Sequence, residues 1–509
     1  MAQPLRVVIV GGGTSGYMAA AALTGAMTSR IAEVRLIESD EIGIVGVGEA
    51  TLPQIKDFND YLGIDEAEFM RETQATFKLG IEFRSWGKVG NSYIHPFGTF
   101  GQPMGRVDFH QYWTRARLNE AAVEPLEHYS YAISACRANR FDFPSEDLGS
   151  IKSTYAYAYH FDAGLYAPFL RRFAEKRGLK RIEGRIVDVG QDPGSGFVTS
   201  VTLQSGETVE GDLFIDCSGF RALLIEGSLK AGWEDWTPWL PCDRAWAVPT
   251  PRAADFTPYT RATAREAGWT WRIPLQHRTG NGYVFSSRFV AEDKARDDLL
   301  GWLDDAPQAE PRLLRFAAGR RKTSWVGNVI AVGLASGFLE PLESTSLYLA
   351  QIAITTLTQM FPAKDMDPRL ASEFNRLIDI EYERVRDFLI LHYHANTRED
   401  GDLWRYVRAM PVPDSLTHRI EMFRRRGYIQ KYKDGLFSPA SWLAVYAGQD
   451  IVPEGYDPIA DNMPADKAAE LMADLARRIA ANVGDMPMHD DFVRDYCFIS
   501  PRQKAEVQA

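Results

Sequence analysis

The sequence predicts an α/β protein: a strand–turn–helix–strand opening, an added β-rich segment, and a mostly helical C-terminal region. Three observations carry this. Strand and helix patterns alternate around a glycine-rich turn between Leu5 and Glu38. From Gly184 the texture changes to short alternating segments separated by turn residues. Beyond about residue 350 the apolar residues recur mainly at helical spacing.

Each element has a local reason. Leu5 to Val10 is an uninterrupted apolar run, as in a buried strand, and Gly11-Gly12-Gly13-Thr14-Ser15-Gly16 turns the chain. An Ala-rich helix then runs from about Ser15 through Leu23, followed by a second strand, Glu33 to Glu38. Arg185 to Gly190, Phe197 to Leu203 and the segment ending at Ile215-Asp216 are β-rich, with tight turns at Asp192-Pro193-Gly194 and Ser205-Gly206. Asn328 to Val332 is a third apolar strand, followed by another glycine turn and a helix from about Ser344 to Met360. Ala465 to Ala481 is an amphipathic helix with Leu471, Met472, Leu475 and Ile479 on one face, and Pro464 suits its start. The expected organisation is a box in residues 1–350, with insertions, and a mostly helical region in 351–509.

Composition narrows the class. At 509 residues the chain can bury a large core without disulfides or metal. A net charge of −11 argues against a sequence-independent grip on nucleic acid or acidic lipid. Cys136, Cys217, Cys242 and Cys497 are scattered, with no CxxC, as in reduced cytoplasmic proteins. The nine histidines form no HExxH, and His392 and His394 have no third ligand nearby, so no metal is expected. No apolar stretch is long enough to span a bilayer, and a strand beginning at Leu5 leaves no room for a signal peptide. The cytoplasm is the expected location.

Gly11-x-Gly13-x-x-Gly16 sits in the context that gives it meaning. The first glycine permits the turn, the second lets a pyrophosphate approach the backbone, and the third lets helix and strand pack closely. The helix N-terminus offers free N–H groups, with Thr14 and Ser15 in its first turn, and Glu38 ends the second strand where a carboxylate reaches ribose hydroxyls. This is a Rossmann-like dinucleotide site. Leu213-Phe214-Ile215-Asp216-Cys217-Ser218-Gly219 and Asn328-Val329-Ile330-Ala331-Val332-Gly333-Leu334-Ala335-Ser336-Gly337 both run from an apolar strand into a small-residue turn. They resemble later motifs of the FAD-binding flavin monooxygenase-type fold, so FAD is the expected nucleotide. No second GxGxxG marks an NAD(P)H site, because Gly190 to Gly196 belongs to a hairpin.

Trp269-Thr270-Trp271-Arg272-Ile273-Pro274 reads physically as an edge strand presenting aromatics to one side and ending on proline. It also matches the WxWxIP signature of flavin-dependent halogenases. Further segments resemble that family in order: Gly46-Val47-Gly48-Glu49-Ala50-Thr51-Leu52-Pro53, Phe77-Lys78-Leu79-Gly80-Ile81, His95-Pro96-Phe97-Gly98, Glu340-Pro341-Leu342-Glu343-Ser344-Thr345, and His392-Tyr393 followed by Asp402-Leu403-Trp404. The resemblance covers nearly the whole chain.

It implies a halogenase that makes hypohalous acid from a flavin hydroperoxide and chloride or bromide. A separate reductase supplies FADH2, and a homodimer is left open. Lys78 and Glu343 are the implied catalytic residues. Lys78 either hydrogen-bonds hypohalous acid or captures it as a haloamine, which needs a neutral amine. Glu343 either orients the halogenating species or accepts the ring proton. The implied cofactor contacts are Gly11, Gly13, Thr14, Ser15, Gly16, Glu38, Gly48, Ala50, Val187, Gly333 and Leu334. Ile81, His95, Phe97 and Ser344 face the substrate, Thr345 and Ser346 hold the halide, and Trp269 and Trp271 shape the flavin surroundings. Ser346 replaces the glycine usual in tryptophan halogenases, which bears on backbone geometry and halide preference.

Tryptophan-specific members carry a longer lid with an adjacent tyrosine pair and a glutamate for the amino group. The corresponding segment here, Tyr428 to Gln449, is shorter and lacks that pair. An amino acid needs partners for both charged ends. Indole or another uncharged aromatic is therefore the expected substrate. An FAD-dependent aromatic hydroxylase and a non-catalytic FAD-binding protein are the competing readings.

Overall fold

A computed structural model of the chain describes residues 3–41, 48–432 and 435–498. It forms two compact units, each assembled from three stretches: Met1–Ala75, Phe161–Asp243 and Arg315–Glu383 in the first, and Thr76–His160, Arg244–Leu314 and Arg384–Ala509 in the second. The expected division at residue 350 does not coincide with these units. Residues 351–383 belong to the first and the rest of the helical region to the second. Compactness follows which side chains share a core, and chain order does not reveal that.

The first unit is built on a six-stranded sheet in the order Trp325–Val326, Val329–Ala331, Leu213–Asp216, Leu5–Val10, Ala32–Glu38, Lys180–Glu183. All its pairings are parallel except that between the first two strands. Central parallel strands are covered on both faces, which is why Leu5–Val10 and Leu213–Asp216 read as continuous apolar runs. Val8, Val10, Ile37, Phe214, Val329 and Ala331 share one buried cluster. The helix Thr14–Ala26 buries Gly16 to Leu23, and its alanines keep that face thin. The expected β-rich insertion is present: Val198–Leu203 pairs antiparallel with Ile186–Gln191 and with Thr208–Glu210.

Two of this unit's turns are held by identifiable groups. Buried Asp216 accepts hydrogen bonds from Ser218 N (3.0 Å), Ser218 Oγ (2.6 Å), Leu224 N (2.8 Å) and Ile225 N (2.9 Å), fixing the chain after its strand. After Val329–Ala331 the chain makes short helical turns at Gly333–Ala335 and Pro341–Glu343 before the helix Ser346–Gln359.

The second unit holds a seven-stranded sheet: Arg312–Arg315, Arg244–Pro251, Arg278–Phe285, Gly268–Pro274, Thr260–Arg265, Gly80–Arg84, Ser92–Pro96. The strand Gly268–Pro274 lies inside this sheet, between Arg278–Phe285 and Thr260–Arg265, and is not the expected edge strand. Its proline is the last residue, so the missing N–H interrupts no ladder within the strand. The helix Ala465–Gly484 follows Pro464 as expected, but its buried face is Ala468, Met472, Ile479 and Val483, leaving Leu471 exposed.

The short strand Thr76–Lys78 is anchored through Phe77. That ring stacks on Phe141 at 4.0 Å and meets Tyr157, Phe492 and Tyr496 within 5.8 Å. Aromatic pairs of this kind add modestly to their area burial. His489 lies 6.4 Å from Phe77 and donates from Nδ1 to the Phe256 carbonyl at 3.1 Å. Burial pushes its pKa from 6.5 down to about 4, against the raising effect of that hydrogen bond. The folded ring therefore stays neutral while the unfolded ring takes a proton below pH 6.5. Stability should fall as pH drops from 6.5 towards about 4. Denaturant titrations across this window should show a shallower acid limb for His489→Gln.

Candidate active site

In the first unit the glycine turn is shaped by close approaches. Gly11 has φ +112°, and a Cβ there would lie 2.3 Å from the Cys217 carbonyl oxygen. A Cβ at Gly16 would lie 1.9 Å from the Gly11 carbonyl. Gly333 has φ +67°, and its Cβ would lie 2.3 Å from Ser15 Oγ, so this later turn returns to the first one and brings Leu334 with it. Gly13 is different, because a Cβ there would meet nothing within 4 Å. The helix Thr14–Ala26 has no side-chain cap and no acidic residue in its first turn. Free N–H groups beside open space fit a pyrophosphate.

Glu38 sits against this turn, with its Oε2 only 1.6 Å from the position a Cβ on Gly12 would take. Its Oε1 accepts from the Tyr17 hydroxyl at 2.6 Å and from Arg181 Nε, and Arg171 lies 3.7 Å away. Burial and the adjacent carboxylate push the Tyr17 hydroxyl well above the ordinary tyrosine range. Tyr17 and Arg181 thus orient the carboxylate; sequence reading singled out Glu38 without them. Gly48 and Ala50 are buried in the strand Gly48–Ala50, while Gly46 and Val47 lie outside the described residues. Val187 lies on the hairpin strand Ile186–Gln191 and is 59% exposed.

The turn Pro341–Glu343 buries Glu343 completely and Glu340 almost so. Ser344 takes a left-handed φ of +60°, and Thr345 precedes the helix Ser346–Gln359 without a side-chain cap. Thr345 Oγ1 is buried with no hydrogen-bond partner among the described residues. A buried hydroxyl donor at an uncapped helix N-terminus fits a small anion. The strained conformation falls on Ser344. Ser346 is already helical, so serine sits there without backbone strain.

In the second unit Lys78 has no exposed surface, and its Nζ lies 5.0 Å from the Phe97 ring centroid. Strand pairing sets Gly80 opposite Pro96 and Ile81 opposite His95. The backbone N–H of Phe97 donates to the Leu79 carbonyl at 2.8 Å. Lys78, Ile81, His95 and Phe97 are thereby brought into one buried neighbourhood. The His95 ring lies 6.2 Å from Phe97, 5.6 Å from Phe388 and 6.1 Å from Phe437. Trp269 and Trp271 are both buried, with rings 6.2 Å apart. A Cβ at Gly282 would lie 2.1 Å from the Trp271 ring, so glycine on the neighbouring strand makes room for it.

Buried polar groups flank Lys78. Thr76 Oγ1 donates to the Pro274 carbonyl at 2.8 Å and lies 3.0 Å from His160 Nδ1, and His160 Nε2 lies 2.9 Å from Thr260 Oγ1. Burial, helped by the nearby Lys78, holds the His160 imidazole well below the ordinary histidine range. Sequence reading missed His160, which appears there only as one polar residue in an aromatic run, Tyr155 to Phe161. Lys78 belongs to one compact unit and Glu343 to the other.

The family model described as tryptophan halogenase matches residues 6–465. The chain belongs to the tryptophan halogenase family. Tryptophan 7-halogenase RebH of Lentzea aerocolonigenes is 35% identical over 496 residues, covering 90% of this chain and 92% of the relative. Among solved structures, Xcc4156, a flavin-dependent halogenase from Xanthomonas campestris, is 45% identical with a TM-score of 0.94, covering 97% of this chain and 99% of that one. BrvH, a flavin-dependent halogenase from Brevundimonas sp. BAL3, is 44% identical with a TM-score of 0.92 over the same shares.

The protein is thus a flavin-dependent halogenase, and its FAD-binding α/β fold is that of its family. Family membership sets aside the hydroxylase and the non-catalytic readings. Flavin-dependent halogenases use FADH2 and a halide, need a flavin reductase, and act on an aromatic substrate. No helix among the described residues is long and apolar enough to cross a membrane.

The two glycines of this halogenase should respond differently to alanine. Gly13→Ala meets no protein atom and should leave thermal stability nearly unchanged while weakening FAD binding. Gly11→Ala combines a positive φ with a backbone clash and should destabilise the fold by about 1–3 kcal/mol. Flavin fluorescence titration and thermal unfolding of both variants separate the two effects.

Proposed function

We propose that this halogenase acts on indole or an uncharged indole-like aromatic in preference to free tryptophan, with Lys78 and Glu343 as its catalytic residues. The observation that carries the reading is the buried neighbourhood of Lys78: an amine over the Phe97 ring, beside His95, whose ring contacts are Phe97, Phe388 and Phe437. Such surroundings favour a flat apolar ring. A zwitterionic amino acid brings two charges that must each be paired once desolvated. The tyrosine pair of tryptophan-specific lids is absent between Tyr428 and Gln449, where Phe437 instead stacks on Phe388 at 3.9 Å. Lys433 and Asp434, within that segment, lie outside the described residues.

The chemistry supplied by bound FADH2 with O2 is the two-electron oxidation of halide to hypohalous acid. Free N–H groups at the start of Ser346–Gln359, with the Thr345 hydroxyl, hold the halide. The Lys78 amine holds and aims the hypohalous acid, confining an otherwise indiscriminate electrophile. The aromatic carbon takes the halogen, and Glu343 accepts the ring proton and passes it to the departing hydroxide, which leaves as water. Ile81, His95 and Phe97 are the proposed wall for the ring, and Ser344 is a further proposed substrate contact. Trp269 and Trp271 shape the flavin surroundings. The cofactor contacts are Gly11, Gly13, Thr14, Ser15, Gly16, Glu38, Gly48, Ala50, Val187, Gly333 and Leu334.

Two experiments test this reading. Lys78→Ala and Glu343→Gln should each lower product formation by about a hundredfold or more, with FAD binding unchanged. Retained halogenation in Lys78→Ala would remove the lysine from the mechanism. Steady-state turnover with a supplied reductase should give a higher kcat/KM for indole than for tryptophan, read by product mass. The reverse order would overturn the substrate assignment.

A further inference from the structure

The polar groups behind Lys78 form an ordered chain of donors and acceptors. The Pro274 carbonyl can only accept, so the Thr76 hydroxyl spends its proton there, at 2.8 Å. The Thr76 oxygen must then accept from His160, which places a proton on Nδ1 across 3.0 Å. In a neutral imidazole that leaves Nε2 as an acceptor, and the Thr260 hydroxyl donates to it across 2.9 Å. The direction of every bond is therefore determined, from Thr260 through His160 and Thr76 to Pro274. All three side chains are buried, with His160 and Thr76 fully so.

Strand geometry ties this chain to the lysine. Thr76 pairs with His160, and Lys78 pairs with Ala158. Residues two apart on a strand share a face, so Thr76, Lys78 and His160 point to the same side. Thr260 pairs with Ile81, and Pro274 ends the strand carrying Trp269 and Trp271. One imidazole thus links the lysine strand, the strand paired with the Ile81 wall, and the end of the tryptophan strand.

We infer that His160 is a positioning residue for Lys78: through Thr76 and Thr260 it fixes the lysine strand against its neighbours and so sets where the amine lies over Phe97. A packing role alone would be served by apolar side chains, which avoid desolvating three polar groups. A fully satisfied buried network instead specifies one arrangement. The imidazole does this without adding a charge beside Lys78, since burial keeps it neutral.

The inference rests on the role proposed for Lys78, and its test separates the two. Rates of brominated indole formation, FADH2 consumption and release of free hypobromous acid, trapped by a dimedone-type acceptor, are measured together. His160→Phe should lower product kcat by on the order of tenfold to a hundredfold, with KM for indole within about twofold. FADH2 consumption should persist, and released hypobromous acid should rise by the amount of product lost. His160→Gln, which keeps one donor and one acceptor, should recover part of the coupling. The near-isosteric Thr76→Val should reproduce the leak without depending on how well phenylalanine fits. Wild-type coupling in both His160→Phe and Thr76→Val, each folded by circular dichroism, would overturn the inference while leaving Lys78 in place. Full coupling in Lys78→Ala would instead overturn the role of the lysine itself.

Discussion

A lysine with no solvent contact constrains everything around it. Lys78 sits on a three-residue strand whose other face-sharing member is Thr76, and both are fully buried. Polar groups taken from water need partners, because a stranded donor or acceptor carries its whole desolvation penalty. The second unit meets this requirement with the Thr260–His160–Thr76–Pro274 chain and with the face of Phe97 beneath the amine. Phe77, between the two, points the other way into an aromatic cluster with Phe141, Phe492 and Tyr496. Alternation along a short strand thus divides its work: one residue anchors, and its neighbours present chemistry.

The first unit answers a different constraint, close backbone approach. The turn after Leu5–Val10, the turn after Leu213–Asp216 and the turn at Gly333 converge so tightly that Gly11 and Gly333 have no room for a Cβ. Asp216 holds the second of these turns with four hydrogen bonds, and Ser15 lies against the third. Gly13, by contrast, faces open space, where the backbone is bare and a helix begins. The same device recurs at Thr345, where an uncapped helix start and a buried hydroxyl meet. Two helix N-termini in one unit offer donors of the kind a pyrophosphate and a halide require.

Much of this was legible beforehand. Strand Leu5–Val10, helix Thr14–Ala26, the hairpin around Gly194 and the helix after Thr345 have local causes: apolar runs, glycine spacing, turn residues and helical periodicity. Tryptophans two apart and a terminal proline suggest an edge strand, whereas the strand has a neighbour on each side. Inside the sheet, Pro274 stands at the strand end and Gly282 makes room for Trp271. The helix Ala465–Gly484 was placed correctly, yet its buried face is set by neighbours and excludes Leu471. His160 carried no motif, and its meaning comes from partners 84 and 100 residues away.

By itself the sequence determined the strand–turn–helix opening and the order of the segments that resemble halogenases, because these depend on residue types at short spacing. Tertiary structure alone decided that Lys78 is fully buried over Phe97, that Ser344 and not Ser346 bears the left-handed conformation, and that the compact units interleave along the chain. The physical reason is the range of the interactions. Turns, caps and periodicity act within a few residues, whereas burial, sheet order and a four-member hydrogen-bond chain exist only once distant strands share a core.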